Sequence, residues 1–188
     1  MARRAAIRRF LLLMAILLPW AVVWGASHPG PDDAEDAVKA VAVLNFIRYS
    51  TWPGPSPDPL VVGVAGRATF LNSLRATIQG RPVNGRGVRV IEVKTAADAQ
   101  ACQLLYFASE RVAEIQPLLS SPLVAHALTI GESDRFLDLG GAVNLYLSDG
   151  HIAFEASLEA LDKAGISISS NLLRLGQIRG RARRRGMP

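Results

Sequence analysis

Leu60 to Gly66 reads LVVGVAG, seven residues without a charge or a side-chain hydrogen-bonding group, bounded by turn-forming sequence. Such a run is short for a buried helix and too apolar for a strand with one wet face, so it reads as a strand covered on both sides. Strands of this kind belong to sheets layered by helices. The sequence around it alternates accordingly. Ala68 to Ile78 places Phe70, Leu71, Leu74 and Ile78 on one helical face, and Val88 to Val93 (VRVIEV) alternates as a strand. Leu104 to Ala108 is a further buried strand, with Cys102 in the same ACQLLYFA run. Arg111 to Leu119 is a helix with Val112, Ile115, Leu118 and Leu119 apolar, and Ala125 to Ile130 a strand. The expected fold class is α/β: a single compact domain with a mixed, mostly parallel sheet flanked by helices.

The first helix of that domain, Ala34 to Tyr49 (AEDAVKAVAVLNFIRY), is apolar almost all round, which marks packing on more than one side. Trp52-Pro53 and GPSPDP stop it, and Asp32, Asp33, Glu35 and Asp36 sit where a helix N-terminus favours negative charge. In the C-terminal half, DLGGAVNLYLSDGHIAFEAS predicts a β-hairpin over about 142–156. With Asp149-Gly150 at the two central turn positions, Leu147 faces Ile152, Leu145 faces Phe154 and Val143 faces Ala156, all on one side. Tyr146 with Ala153 and Asn144 with Glu155 take the other, and a one-residue slip would set apolar against polar throughout. Gly140-Gly141 precedes the hairpin rather than joining a strand to a helix, so it is turn chemistry and not a phosphate cradle. Ser157 caps a helix through Ala164 that Gly165 ends. Ser169 or Ser170 caps a last helix whose Leu172, Leu173, Leu175 and Ile178 are expected to pack inward.

Charge divides the chain in the same way. The net charge is +5, yet all 16 acids and only 12 of the 21 basic residues lie between His28 and Ile178, which leaves that body at −4. The basic residues concentrate at the two ends, so a nucleic-acid-binding body is not supported. Residues 1–27 carry Arg3, Arg4, Arg8 and Arg9, an apolar run from Phe10 to Trp24 and small residues after it, the layout of a secretory signal peptide cleaved after Ser27. The run is short for a membrane anchor, the competing reading, and Arg8-Arg9 matches a twin-arginine signal only weakly. The expected organisation is a signal peptide over 1–27, a linker over 28–33, the α/β domain over 34–178 and an Arg-rich, disordered tail over 179–188. Weak attraction of that tail to anionic lipid or an acidic partner is its functional alternative.

The residue types that carry chemistry are sparse. His28, His126 and His151 have no second ligand at metal spacing, no Ser sits in a nucleophile elbow, and Cys102 is alone, so no internal disulfide forms. Its expected role is inert packing, with pairing to a second chain as the alternative. Asp149 and Glu155 straddle a turn, and Glu132 and Asp134 in GESDRF read as helix-start chemistry. No catalytic site, metal or cofactor is expected. The candidate contact residues are Arg48 and Trp52, beside Pro53 in a loop, with core-edge packing as the plain alternative for Trp52. Gly66 in GVAG and Glu132 and Ser133 in GES are candidates at the loops where a sheet of this class binds small ligands.

Taken in order, VKAVAVLNFIRYSTWP, GVAG, CQLLYF, LTIGESDRF, GGAVNL, IAFEASLEA and AGISISSNLLRL resemble the YfiR family of periplasmic bacterial proteins, from Val38 to about Leu175. Phe46, Pro53, Gly140, Gly141, Asn144, Phe154, Glu155, Ser169 and Ser170 are the matching positions, read as structural. The resemblance implies a compact α/β domain that dimerises and has no catalytic activity. It further implies a repressor that binds the periplasmic sensor part of a membrane diguanylate cyclase and is sequestered by an outer-membrane lipoprotein, so that cyclic di-GMP and biofilm formation rise on release. Two departures stand out: the family's further cysteines are missing here, and Ala156-Ser157 replaces an apolar residue followed by Asn, with Ser able to do the same capping. The second functional class, independent of the family, is a small-ligand carrier or sensor; the third is a thiol enzyme using Cys102.

Overall fold

The computed structural model describes residues 30–55 and 58–180. The proposed leader and all of the Arg-rich tail beyond Gly180 lie outside the described residues. The chain proceeds through α1 (Pro31–Tyr49), β1 (Ser50–Thr51), β2 (Leu60–Gly66), α2 (Ala68–Ile78), β3 (Val88–Glu92), the short α3 (Ala96–Ala99), β4 (Leu104–Ala108) and α4 (Val112–Leu119). A 3-10 turn (Pro122–Val124) leads to β5 (Leu128–Gly131), β6 (Val143–Ser148), β7 (His151–Ser157), α5 (Leu158–Ala164), β8 (Ser167–Ile168), α6 (Ser170–Leu173) and β9 (Gln177–Arg179).

Seven strands form one sheet in the order β3-β2-β4-β5-β6-β7-β9. β3, β2, β4, β5 and β6 run parallel, β7 returns antiparallel to β6, and β9 lies parallel to β7. β1 and β8 make a separate antiparallel pair at the end of α1. β2 and β4 are buried because helices cover both faces. One face holds Val62, Val64, Leu104, Tyr106, Leu128, Ile130, Leu145 and Phe154 under α1, α2 and α5, and Phe46 meets Phe154 edge to face at 5.1 Å. The other holds Val61, Leu105 and Phe107 under Cys102, Ile115, Val124, Phe136 and Leu137.

The hairpin has the expected register at all five named pairs. Asp149 and Gly150 both take positive φ, 51° and 76°, the two-residue turn that matches strand twist. Ser157 Oγ accepts from Ala160 N–H, and Gly165 ends α5 in the left-handed conformation. Gly141 has a packing reason as well as a turn reason, since a Cβ there would overlap the Phe136 ring, which fills the space beneath the sheet.

Five expectations need correction. β5 begins at Leu128, because Pro122 opens a 3-10 turn and Ala125 and His126 remain in the connection. Cys102 precedes β4, its backbone N–H bonded to Ala99, so it packs beside the sheet rather than within a strand. The last helix is one turn long, and Leu175 is 76% exposed. Ile178 and Arg179 belong to edge strand β9, whose side chains are all exposed, so the domain extends into the segment assigned to the tail. At the other end, α1 starts at Pro31, and Asp32 and Asp33 form its first turn rather than a linker.

Candidate functional site: an ion cluster at the carboxyl edge of the sheet

Three parallel strands end side by side, β2 at Gly66, β4 at Ala108 and β5 at Gly131. Each next residue leaves the sheet, which sets Arg67 and Glu132 at the same edge as the N-terminal half of α1. The helix contributes Asp36 and Lys39, three residues apart and so on one face. Both are buried although charged. Lys39 Nζ donates to Glu132 Oε2 at 2.7 Å and to Glu35 Oε1 at 2.6 Å. The Arg67 guanidinium spans two elements. Nη1 pairs with Glu132 and Nη2 donates to Asp36 Oδ1 at 2.8 Å. Tyr106, stacked on Phe70 with ring centroids 3.9 Å apart, donates its hydroxyl to Glu132 Oε2 at 3.1 Å. Thr69 Oγ1 donates to Asp36 Oδ2 at 2.8 Å.

The electrostatics follow from this closure. Burial acts to lower the Lys39 pKa, and the hydrogen bonds it donates to Glu132 and Glu35 outweigh it and hold the ammonium above its ordinary value. Arg67 is raised in the same way, burial opposing and Glu132 and Asp36 prevailing. Tyr106 is pushed well up by burial first and the Glu132 charge second, so the phenol stays protonated as a donor. Paired and hydrogen-bonded charges of this kind fix the end of α1 to the edge of the sheet. Arg67 is the most exposed of the five charged members, at 42% of its side chain, and Glu35 follows at 33%.

Beside Arg67 the edge opens into a crevice of about 320 Å³, with Val93, Phe107, Ile115 and Leu118 as its floor and Lys94, Ser109 and Glu114 at its rim. Gly66 forms one wall with φ +117°, and a Cβ there would overlap the Ala108 carbonyl. On the far side of Glu132, Ser133, Asp134 and Arg135 line a second depression with Glu110 and Val112.

The predicted contact residues separate into two groups. Gly66, Glu132 and Ser133 are brought to the carboxyl edge. Arg48 and Trp52 lie at the opposite end of α1. Trp52 is not a surface residue: it is 7% exposed and its indole Nε1 donates to the Gln103 carbonyl at 2.7 Å, so it closes the core edge. Arg48 is exposed, and its carbonyl accepts from Asn84 Nδ2. Glu132 is not helix-start chemistry either, since turns follow it and its carboxylate points into the cluster. Asn144 is buried, with Nδ2 3.5 Å from Glu155 Oε1, and Glu155 also pairs with Arg179 at 3.2 Å. Cys102 is buried, and its thiol is pushed up to about 11 by burial and then by Asp98, with Arg89 opposing.

Arg67, Asp36, Lys39, Thr69 and Tyr106 were not selected from the sequence. A signal for two of them was present. Asp36 and Lys39 interrupt an otherwise apolar helix on its inward side, and charges so placed are almost never buried without partners. Nothing local marks which residues those partners are.

These features define an α/β domain whose polar groups at the sheet edge are committed to one another. Residues 36–177 match the family model described as YfiR/HmsC-like, and the chain belongs to that family. A solved structure from Vibrio cholerae O1 biovar El Tor str. N16961, a "conserved domain protein", shares the fold at TM-score 0.51 and 12% identity, over 76% of this chain and 59% of that one. The chain thus spans about three fifths of that structure's length.

Proposed function

We propose that this chain is a periplasmic, non-enzymatic regulator that represses an inner-membrane diguanylate cyclase by binding its periplasmic sensor domain. The observation that carries the proposal is membership of the YfiR/HmsC-like family across residues 36–177. The basic, apolar N-terminal segment supports export, and among the described residues no helix is long and apolar enough to cross a membrane. The mechanism is a population shift, in which bound repressor favours the inactive cyclase and its removal, by an outer-membrane lipoprotein, restores synthesis. The repressor acts as a homodimer. Titrating the purified chain against the periplasmic domains of its host's membrane diguanylate cyclases, one at a time, tests the reading. Saturable binding to one of them is expected, and binding to none contradicts it.

A second reading rests on the crevice beside Gly66 and Arg67, which lies at the carboxyl ends of parallel strands, where sheets of this class take small ligands. A carrier or sensor would show a raised melting temperature with a particular metabolite from a panel. A panel without any shift removes this reading.

A further inference from the structure

The C-terminal end of the domain keeps two aliphatic side chains out of the core. Leu172 and Leu173 of α6 are half-buried and pack against the larger apolar cluster. Beyond them Arg174, Leu175, Gln177, Ile178 and Arg179 are all exposed, Leu175 at 76% and Ile178 at 42%. β9 is thus a sheet edge with no buried side chain, joined to β7 by its backbone and by Arg179 on Asp138 and Glu155. A Leu and an Ile placed this way add nothing to the core.

The charge of the same stretch is one-sided. After Asp162 the chain has no acidic residue, while Lys163, Arg174, Arg179, Arg181, Arg183, Arg184 and Arg185 are basic. Lys163 pairs with Glu159, and Arg179 with Asp138 and Glu155. Arg174 donates to the Asn171 side-chain oxygen and the Ser170 carbonyl, and it has no acidic partner among the described residues. Residues 28–178 carry a net −4, so an anionic surface repels that body and attracts the basic end that follows it.

The company the arginines keep selects among anionic partners. Single-stranded nucleic acid rewards Arg interleaved with aromatic residues, and Arg174 to Pro188 contains none. A lipid surface offers phosphate headgroups above an apolar phase, and takes Arg together with Leu or Ile. We propose that the C-terminal edge is an attachment surface for a bilayer bearing anionic lipid. Arg174, Arg181, Arg183, Arg184 and Arg185 meet headgroup phosphates, and Leu175 and Ile178 reach the acyl boundary. Each arginine adds about fivefold to partitioning onto such a surface, and each aliphatic side chain about threefold. Attachment does not depend on the proposed repression, and it raises the effective concentration of the chain beside a partner in the same membrane.

The test is co-sedimentation of the protein, in the form its host accumulates, with two kinds of vesicle. One is phosphatidylcholine alone, and the other is about one part phosphatidylglycerol to three of phosphatidylcholine. Binding is expected to the mixed vesicles alone, and to fall steeply as added salt screens the headgroups. Changing Arg181, Arg183, Arg184 and Arg185 together to Gln is expected to weaken it at least about 100-fold. Leu175→Ser with Ile178→Ser, at unchanged charge, is expected to weaken it about tenfold. Both side chains are exposed, so a melting curve of this double variant close to wild type separates lost attachment from lost folding. Polyglutamate and a short DNA duplex are expected to bind more weakly than the mixed vesicles.

No binding to the mixed vesicles, or binding that survives the four-arginine change, overturns the proposal. Binding that needs the arginines and ignores the Leu175 and Ile178 changes overturns the surface as drawn. Tighter binding to polyglutamate or to the duplex than to the vesicles overturns lipid as the partner. Each of these outcomes leaves repression of the cyclase to its own assay.

Discussion

Glu132 shows how one residue ties three elements together. Its carboxylate meets Lys39 from α1, Arg67 at the head of α2 and the Tyr106 hydroxyl from β4. Glu132→Gln keeps the shape and removes the charge, leaving Lys39 with Glu35 alone. Breaking one side of a buried pair costs about 3 kcal/mol, and the Arg67 share is smaller because half of that side chain is screened by water. A lower urea midpoint at unchanged slope is expected, by the lost free energy divided by that slope. Gly66→Ala is expected to cost about 2 kcal/mol, because φ +117° and the Ala108 carbonyl leave no place for a methyl. The pH dependence has a definite sign. Cys102 (9.0 to about 11), Tyr106 and Lys39 all have folded pKa values above their ordinary ones, so each contribution is complete below the unfolded value and is lost as pH rises through the folded one. Stability is expected to fall progressively above pH 9, and Cys102→Ala should remove the part of that fall between 9 and about 11. A melting temperature flat from pH 9 to 11 contradicts the assignment.

At the scale of elements, legibility followed the range of the interaction that decides each one. The hairpin was legible residue by residue, since Asp149-Gly150 fixes the turn and alternation fixes the register from either side of it. α2 was legible because Phe70, Leu71, Leu74 and Ile78 mark its inner face. β9 was not: Gln177–Arg179 has no alternation and is a strand only because β7 offers an open edge and Arg179 reaches Asp138 and Glu155. The same limit hid the ion cluster, whose partners lie 93 and 65 residues apart from Glu132 in sequence. Two local devices give element-scale tests. Ser157→Ala removes the cap of α5 and should lower stability by about 1 kcal/mol. Gly150→Ala should cost a similar amount by straining a turn at φ +76°. Thermal unfolding of the two variants checks both.

The described domain is a mixed, mostly parallel sheet with a closed set of charges at one edge and an unusually apolar helix along one face. Such a body suits recognition by shape and surface, and its family places it among YfiR/HmsC-like proteins. Cyclic di-GMP content in the host with and without this gene tests the proposed repression from outside the cytoplasm. A rise on deletion is expected, reversed by the chain with its residues 1–27 and not by a form lacking them. An unchanged level across growth conditions, or full reversal by the form without the leader, contradicts it.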